Sequence, residues 1–297
     1  MQNPYEINGL VFWNEEEIRL RETFRDFFAR RLQAELLTLN PQWSFHYIEA
    51  PLLTPRDLLN VNYTEDDIWS QDMRETPVDR LSSGFRPLAL RPETTPGSYA
   101  YAQYLLNNHT GVKPPFVVWQ AGKSFRREIV QPTKHMRLKE FYQQEFQCVY
   151  TSDTAMDYHE AILEPVRAMI GAMVALPTRL VESDRLPAYA LRTMDVEVWN
   201  GDKWMEVCSI SKRTDFPEKL RFQGKKDIVE KDALVLEVAI GLDRCIYNWQ
   251  QAQRQDIDKT EPLTDIPETS EEWFANAKLV TPESDEQAMA EIGAHPT

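Results

Sequence analysis

From Leu20 to Leu36 apolar residues recur at intervals of three and four (Leu20, Phe24, Phe27, Phe28, Leu32, Leu36), and Arg21, Arg25, Arg30 and Arg31 fall mostly off that stripe. The period predicts an amphipathic helix with one buried face. Asn14 is placed to cap it, the acidic run Glu15–Glu17 suits its positive end, and Asn40-Pro41 ends it. Phe45 to Leu53 reads as a strand running into Pro51, which suits an edge or a strand end. Pro114 to Phe125 and Arg137 to Tyr150 are rich in Phe, Val, Trp and Tyr and predict a long antiparallel hairpin.

Asp153 to Ala175 has helical periodicity, with a kink or a fresh turn expected at Pro165. Tyr189 to Val198 and Trp204 to Ser209 form a second expected hairpin around Asn200-Gly201. Ala233 to Ile240 is an apolar run interrupted by Glu237, followed by Gly241 and a helix through Trp249. Asn60 to Ser83 is polar and acidic and reads as a surface excursion without assigned chemistry. The fold class expected is α+β, helices around a largely antiparallel sheet.

Composition then narrows the function. The 297 residues allow a sizeable core, and 42% hydrophobic with 27% charged residues describes an ordinary globular protein. With Lys+Arg 33 against Asp+Glu 47 the formal charge is -14, which argues against gripping a long nucleic acid by phosphate neutralisation. Beyond Arg254 eleven acidic residues face only Lys259 and Lys278, so residues 1–253 are expected to form the functional domain and 254–297 an acidic tail. Cys148, Cys208 and Cys245 spell neither a disulfide framework nor a CxxC zinc site, and no apolar run approaches membrane-spanning length. A cytoplasmic protein with no membrane partner is expected.

Two segments carry candidate chemistry. By period two Ser124, Arg126 and Glu128 share one face of the first hairpin strand, and Arg137, Lys139, Phe141, Gln143 and Glu145 share one face of the second. Arginines beside an aromatic ring offer forked donors for phosphate oxygens and a plane for a base; the alternative is a solvated face of Arg–Glu pairs. In Glu237-Val-Ala-Ile-Gly241-Leu-Asp-Arg244, a carboxylate in an apolar strand needs a partner or a metal. Gly241 permits a sharp turn, and Arg244 in the first turn of a helix is held there either by an anion or by pairing with Glu237 or Asp243.

Those residues carry a resemblance. Phe45-x-x-Ile48-x-x-Pro51, then Phe125-Arg126-Arg127-Glu128 with Arg137 and Phe141, then Gly241-x-x-Arg244 resemble motifs 1, 2 and 3 of the class II aminoacyl-tRNA synthetases, in order. LRPET (Leu90–Thr94), GKSFRREI (Gly122–Ile129), EFYQQE (Glu140–Glu145) and Glu237–Arg244 are most similar to glycyl-tRNA synthetases, and Thr193–Ser211 to seryl-tRNA synthetases. The resemblance implies an antiparallel sheet flanked by helices and ATP and Mg2+ as cofactors. It implies Arg126 on the α-phosphate, Glu128 on the adenine amino group, Phe141 stacked on adenine, and Arg137 and Arg244 on the γ-phosphate. Glu237, or Glu206 with Ser209, would hold magnesium, and Glu93 and Glu145 the substrate ammonium, in a pocket to which Glu206 and Ser209 also contribute; Arg126, Arg244 and Glu237 would be catalytic.

Departures from the pattern shape the expected function. The glycyl family usually has Glu-Pro-Ser where this chain has Glu237-Val238-Ala239, which leaves glycine, serine or another small amino acid open. No anticodon-binding domain is expected after Arg244. The resulting expectation is ATP-dependent activation of a small amino acid to an aminoacyl-adenylate, with transfer to a tRNA 3′ end or another acceptor, in a homodimer. The alternatives are an amino acid:carrier protein ligase, a non-catalytic accessory or regulatory protein, and an amide-forming synthetase. A basic group around Lys212, Arg213, Lys219, Arg221, Lys225 and Lys226 reads either as an acceptor docking surface or as a solvated loop.

Overall fold

Helix α1 (Glu15–Leu39) begins where its cap dictates: Asn14 Oδ1 accepts the N–H of Glu17 at 2.9 Å and Glu17 Oε2 accepts the N–H of Asn14 at 3.0 Å, a reciprocal capping box. The structure, a computed structural model, describes residues 9–59, 68–69, 88–108, 111–127, 137–184, 186–223 and 228–253. All lie within the unit Met1–Ile257; the acidic segment expected after Arg254, most of the excursion expected at 60–83, and Glu128 fall outside the described residues.

The described strands are β1 (Ser44–Tyr47), β2 (Leu53–Pro55), β3 (Leu88–Leu90), β4 (Phe116–Phe125), β5 (Glu140–Thr151), β6 (Thr178–Glu182), β7 (Ala190–Trp199), β8 (Trp204–Arg213), β9 (Leu220–Gln223), β10 (Ile228–Lys231) and β11 (Ala233–Gly241). Seven of them form one sheet in the order β1-β4-β5-β11-β8-β7-β6, antiparallel except where β1 runs parallel to β4. Helices α2 (Thr95–Asn108), α3 (Tyr158–Val174) and α4 (Leu242–Gln253) complete it. The α+β class and the predominantly antiparallel sheet agree with the pattern.

Side chains alternate along each strand, so the sheet has one mainly apolar face and one that is polar over its centre. Across the apolar face Trp119, Phe146, Val238, Ile210 and Met194 stand in a row from β4 to β7. They join one core with Phe24, Phe28 and Leu32 of α1, Ile162, Val166 and Ile170 of α3, and Leu242 and Ile246 of α4. The opposite face carries the rows Gln120, Glu145, Ala239, Ser209, Asp195 and Val118, Gln147, Glu237, Ser211, Thr193. The larger core therefore lies on the side of α1, α3 and α4, and the other face carries a polar floor bordered by a smaller apolar cluster in which Phe116, Val118, Val149 and Val235 pack under Tyr99, Ala102 and Leu105 of α2.

Several elements differ from the pattern for identifiable reasons. The strand expected over Phe45–Leu53 breaks in two, because Ala50 leaves the ladder: its N–H donates to Gln120 Oε1 (3.2 Å) and its carbonyl accepts from Arg91 Nη1 (2.9 Å). Arg137 and Lys139 precede β5, so they are not on a strand face, although the N–H of Arg126 still donates to the Lys139 carbonyl at 3.0 Å. α3 starts at its Asp157 cap and passes through Pro165. A proline inside a helix costs about 3 kcal/mol, but burying Ile162, Val166, Met169 and Ile170 at roughly 1.5–3 kcal/mol each outweighs it. The second hairpin closes through Asn200–Lys203, with Asn200 Oδ1 accepting from Asp202 and Lys203 and Gly201 at φ 92°, and β8 runs on to Arg213. α2 and the small β9–β10 hairpin have no counterpart in the pattern.

Arg91, 2% exposed, ties these parts together: Nε donates to the Lys123 carbonyl (2.8 Å) and Nη1 to Ala50 O and Gln120 Oε1 (3.0 Å). It lies over Gly122, where a Cβ would come within 2.3 Å of Nη2. Gly122→Ala should therefore lower stability by roughly 1–3 kcal/mol, the usual cost of overpacking, read by urea unfolding. An unchanged midpoint would show that Arg91 yields freely.

Candidate active site

The polar face opens into a cavity of about 330 Å³ lined by β5, β7, β8, β11, the start of α4 and the segment before α2. Nine of the ten site residues expected from the sequence line it: Glu93, Arg126, Arg137, Phe141, Glu145, Glu206, Ser209, Glu237 and Arg244. The tenth, Glu128, lies outside the described residues. Residues rise about 3.4 Å per step along β5, so Phe141 and Gln143 stand at one end, level with Gly241, while Glu145 and Gln147 stand lower, level with Ala239 and Glu237. The cavity thus has an arginine- and aromatic-lined end and a carboxylate-lined end.

At the first end Arg126 donates to the Pro92 carbonyl at 3.2 Å, and its guanidinium lies 5.2 Å from the centre of the Phe141 ring. Arg244 pairs with neither Glu237 nor Asp243. Its Nη1 donates to the Glu206 carbonyl at 2.8 Å and lies 3.6 Å from the Glu206 carboxylate, so the motif's arginine is anchored to β8. The turn at Gly241 needs no left-handed backbone, and an added Cβ there would meet only ordinary contacts, so conformational freedom does not explain that glycine.

At the other end the partner expected for Glu237 is Arg213. Glu237, 4% exposed, accepts on Oε2 from Arg213 Nη1 (2.5 Å), Gln147 Nε2 (2.7 Å) and Thr95 Oγ1 (3.1 Å). Oε2 of the carboxylate is thus held by three protein donors, which supplies the partner that an acid in an apolar strand needs. Arg213, 1% exposed, also forks onto Asp215 (2.7 and 3.0 Å) and stacks 3.9 Å from the Tyr189 ring centre. Burial opposes charge on Arg213, but Glu237, Tyr99 and Asp215 override it and hold the guanidinium firmly protonated. Arg213 therefore belongs to the site and not to an exposed basic patch. Elsewhere in that group Lys212 pairs with Asp157 and Arg221 with Glu230, while Lys225 and Lys226 fall outside the described residues.

Glu145 is 3% exposed and accepts from Thr94 Oγ1 (2.6 Å) and Gln143 Nε2, while Thr95 Oγ1, 3.1 Å from both Glu145 and Glu237, has one proton to share between the two acids. Burial, reinforced by Glu237 and Glu93, pushes its carboxyl up to about 8. A buried acid set among other acids is a strong receptor for an ammonium, which relieves all three at once. Asp195 lies level with Ser209, and burial together with the Glu206 charge raises its pKa, opposed by hydrogen bonds from Ser183 and Ser209.

Sequence reasoning missed Thr94, Thr95, Gln147, Tyr189, Asp195 and Arg213. One signal was available for the last: Ser209, Ser211 and Arg213 continue a single alternation, so extending β8 by one period places the arginine beside Glu237.

This sheet, with an arginine-rich hairpin and the arginine of the following helix on one polar face, defines a class II synthetase core. A family model described as the tRNA synthetase class II core domain (G, H, P, S and T) matches residues 81–252, and the chain belongs to that family. It is 34% identical over 174 residues to a glycine–tRNA ligase of Cutibacterium acnes (53% of this chain, 36% of that protein), and 27% identical over 186 residues to one of Mycoplasma capricolum (57% and 41%). The chain thus spans well under two thirds of the length of these curated relatives. A prolyl-tRNA synthetase from Cryptosporidium parvum, solved with halofuginone and AMPPNP, superposes with a TM-score of 0.64 at 16% identity, covering 84% of this chain and 49% of that one. Among the described residues no helix is long and apolar enough to cross a membrane.

Proposed function

We propose that the cavity activates a small amino acid with ATP, forming an aminoacyl-adenylate that is passed to an acceptor, a tRNA 3′ end in the first instance. The observation that carries this reading is the polarity of the cavity: Arg126, Arg137, Arg244 and Phe141 line it together with the buried acids Glu93 and Glu145. A triphosphate and an adenine suit the first end, and an ammonium suits the second. Attack of a carboxylate on the α-phosphate joins two anions, so fixed cations that spread the developing charge, and a fixed approach, supply most of the catalysis. The nucleophile is already ionised and pyrophosphate leaves readily, so no general base is required.

Magnesium fits this donor set at Glu206 and Ser209. Both are hard oxygen donors lining the cavity on β8, and Mg2+ binds through one or two protein ligands with phosphates and water completing its shell. There the ion would neutralise phosphate charge, while Arg244, anchored on the same Glu206, holds the far phosphate. Glycine is the first substrate to test, given the glycine–tRNA ligases among the relatives. The catalytic core is assigned to residues 1–253, with the acidic segment 254–297 outside it, and a homodimer is the assembly proposed.

Amino-acid-dependent ATP–pyrophosphate exchange tests the reading. Exchange should appear with glycine, alanine or serine, require Mg2+ and fall at least about 100-fold in Arg244→Ala, in keeping with the loss of a fixed cation at the reacting phosphates. No exchange with any of the twenty amino acids would leave the accessory-protein reading standing. Charging of total tRNA compared with labelling of a carrier protein then identifies the acceptor.

A further inference from the structure

Asp243 precedes the anchored arginine of α4, and neither the family pattern nor the reading above gives it a task. It is 6% exposed and lines the cavity beside Arg244. Its Oδ2 accepts the backbone N–H of Tyr142 at 3.1 Å. That bond has a structural origin. β11 pairs with β5 as far as Gly241 opposite Gln143 and then turns into α4. The next amide of β5 is left beyond the end of the ladder, and the Asp243 side chain takes the place of the missing strand carbonyl.

We propose that Asp243 is a positioning residue for the nucleotide end of the site. It locks the strand that carries Phe141 to the helix that carries Arg244, so the aromatic plane and the phosphate-binding cation keep one separation. The proposal rests on the reading of this cavity as an ATP site. Phe141 and Gln143, which flank Tyr142, both line the cavity, and so does Arg244, the residue after Asp243. A shift of the Tyr142 amide away from α4 would change the gap between ring and guanidinium directly.

Oδ1 of Asp243 has no hydrogen-bond partner among the described residues. Burial pushes this carboxyl up to about 7, against the Tyr142 N–H and the charges of Arg21 of α1 and Lys123 of β4, with Glu140 of β5 adding to the rise. Both cations also face the Tyr142 ring, at 3.9 and 5.6 Å from its centre.

The test pairs ATP titration calorimetry with hydrogen exchange of the 139–144 peptide in wild type, Asp243→Ala and Asp243→Asn. Loss of the acceptor in Asp243→Ala should weaken ATP binding about 10-fold, leave the KM for the amino acid within about twofold, and speed exchange of the Tyr142 amide. Asp243→Asn, which keeps an acceptor oxygen for that amide, should recover most of the ATP affinity. If wild type binds ATP and Asp243→Ala binds it equally well, or loses ATP and amino acid in equal measure, the assignment fails alone. If wild type binds no ATP, the reading of the cavity fails and this assignment with it. Unchanged exchange at Tyr142 in Asp243→Ala also overturns it, whatever the activity.

Discussion

Replacing Arg213 with alanine should cost the fold about 3–5 kcal/mol, the range measured when one partner of a buried ion pair is removed. For a domain of this size that corresponds to a melting temperature lower by roughly 6–20 °C. The cost comes chiefly from what is left behind. Glu237, 4% exposed, and Asp215 would both lose their cation, and Glu237 would keep only the neutral donors Gln147 and Thr95. Lysine should rescue poorly, because a point charge cannot reproduce the fork onto Asp215 together with the third contact to Glu237. The double variant Arg213→Met with Glu237→Gln should recover much of the loss, since removing both charges of a buried pair is often close to neutral. Chemical denaturation of the set decides it. An Arg213→Ala protein within about 1 kcal/mol of wild type would show that solvent reaches Glu237 and that the floor of the cavity is wetter than its burial indicates.

The difference between what was legible in the sequence and what was not follows from the range of the interactions. α1 was legible from its cap and its stripe, because Asn14 and Glu17 satisfy each other across three residues. The two hairpins and β11 announced themselves through local alternation and the turn at Asn200-Gly201. Helix α2 did not, because Thr95-Pro96-Gly97 opens it with two residues that usually mark loops. The candidate site was legible as a set of side chains through the resemblance to class II motifs, but its internal pairing was not. Which arginine meets Glu237 depends on β8 lying beside β11 in a particular register, and no local pattern encodes that. Sequence proximity favoured Arg244, seven residues away, whereas the sheet supplied Arg213 from a neighbouring strand.

Glu145→Gln should abolish most amino-acid activation and at the same time raise the stability of the free protein, an opposition that follows from the acid cluster. In the folded, ligand-free protein burial beside Glu237 and Glu93 holds the Glu145 carboxyl up to about 8, against an ordinary value near 4.5. The folded state therefore binds a proton that the unfolded chain releases between about pH 4.5 and 8. Stability from this group is fully present below that window and is lost as pH rises through it. Glutamine has no charge to desolvate, and its amide can meet Gln143 and the two threonines, whose hydroxyls rotate. The variant should thus show a flatter fall in melting temperature from pH 5 to 8.5 and a higher value at the alkaline end. Function should move the other way. An ammonium prefers the ionised carboxylate, so in wild type the KM for the amino acid should fall as pH rises from about 6.5 to 8, while the uncharged variant should lose that dependence. Its KM should also be higher by about 10- to 150-fold, the equivalent of the roughly 1.5–3 kcal/mol of a hydrogen bond to a charged group. Pyrophosphate exchange across pH and thermal melts of the same two proteins give both readings. A variant that activates its amino acid as well as wild type would move the ammonium site to Glu93 alone. A variant no more stable at pH 8.5 would mean that Glu145 is already ionised in the free protein, and that Arg213 offsets the whole cluster rather than Glu237 alone.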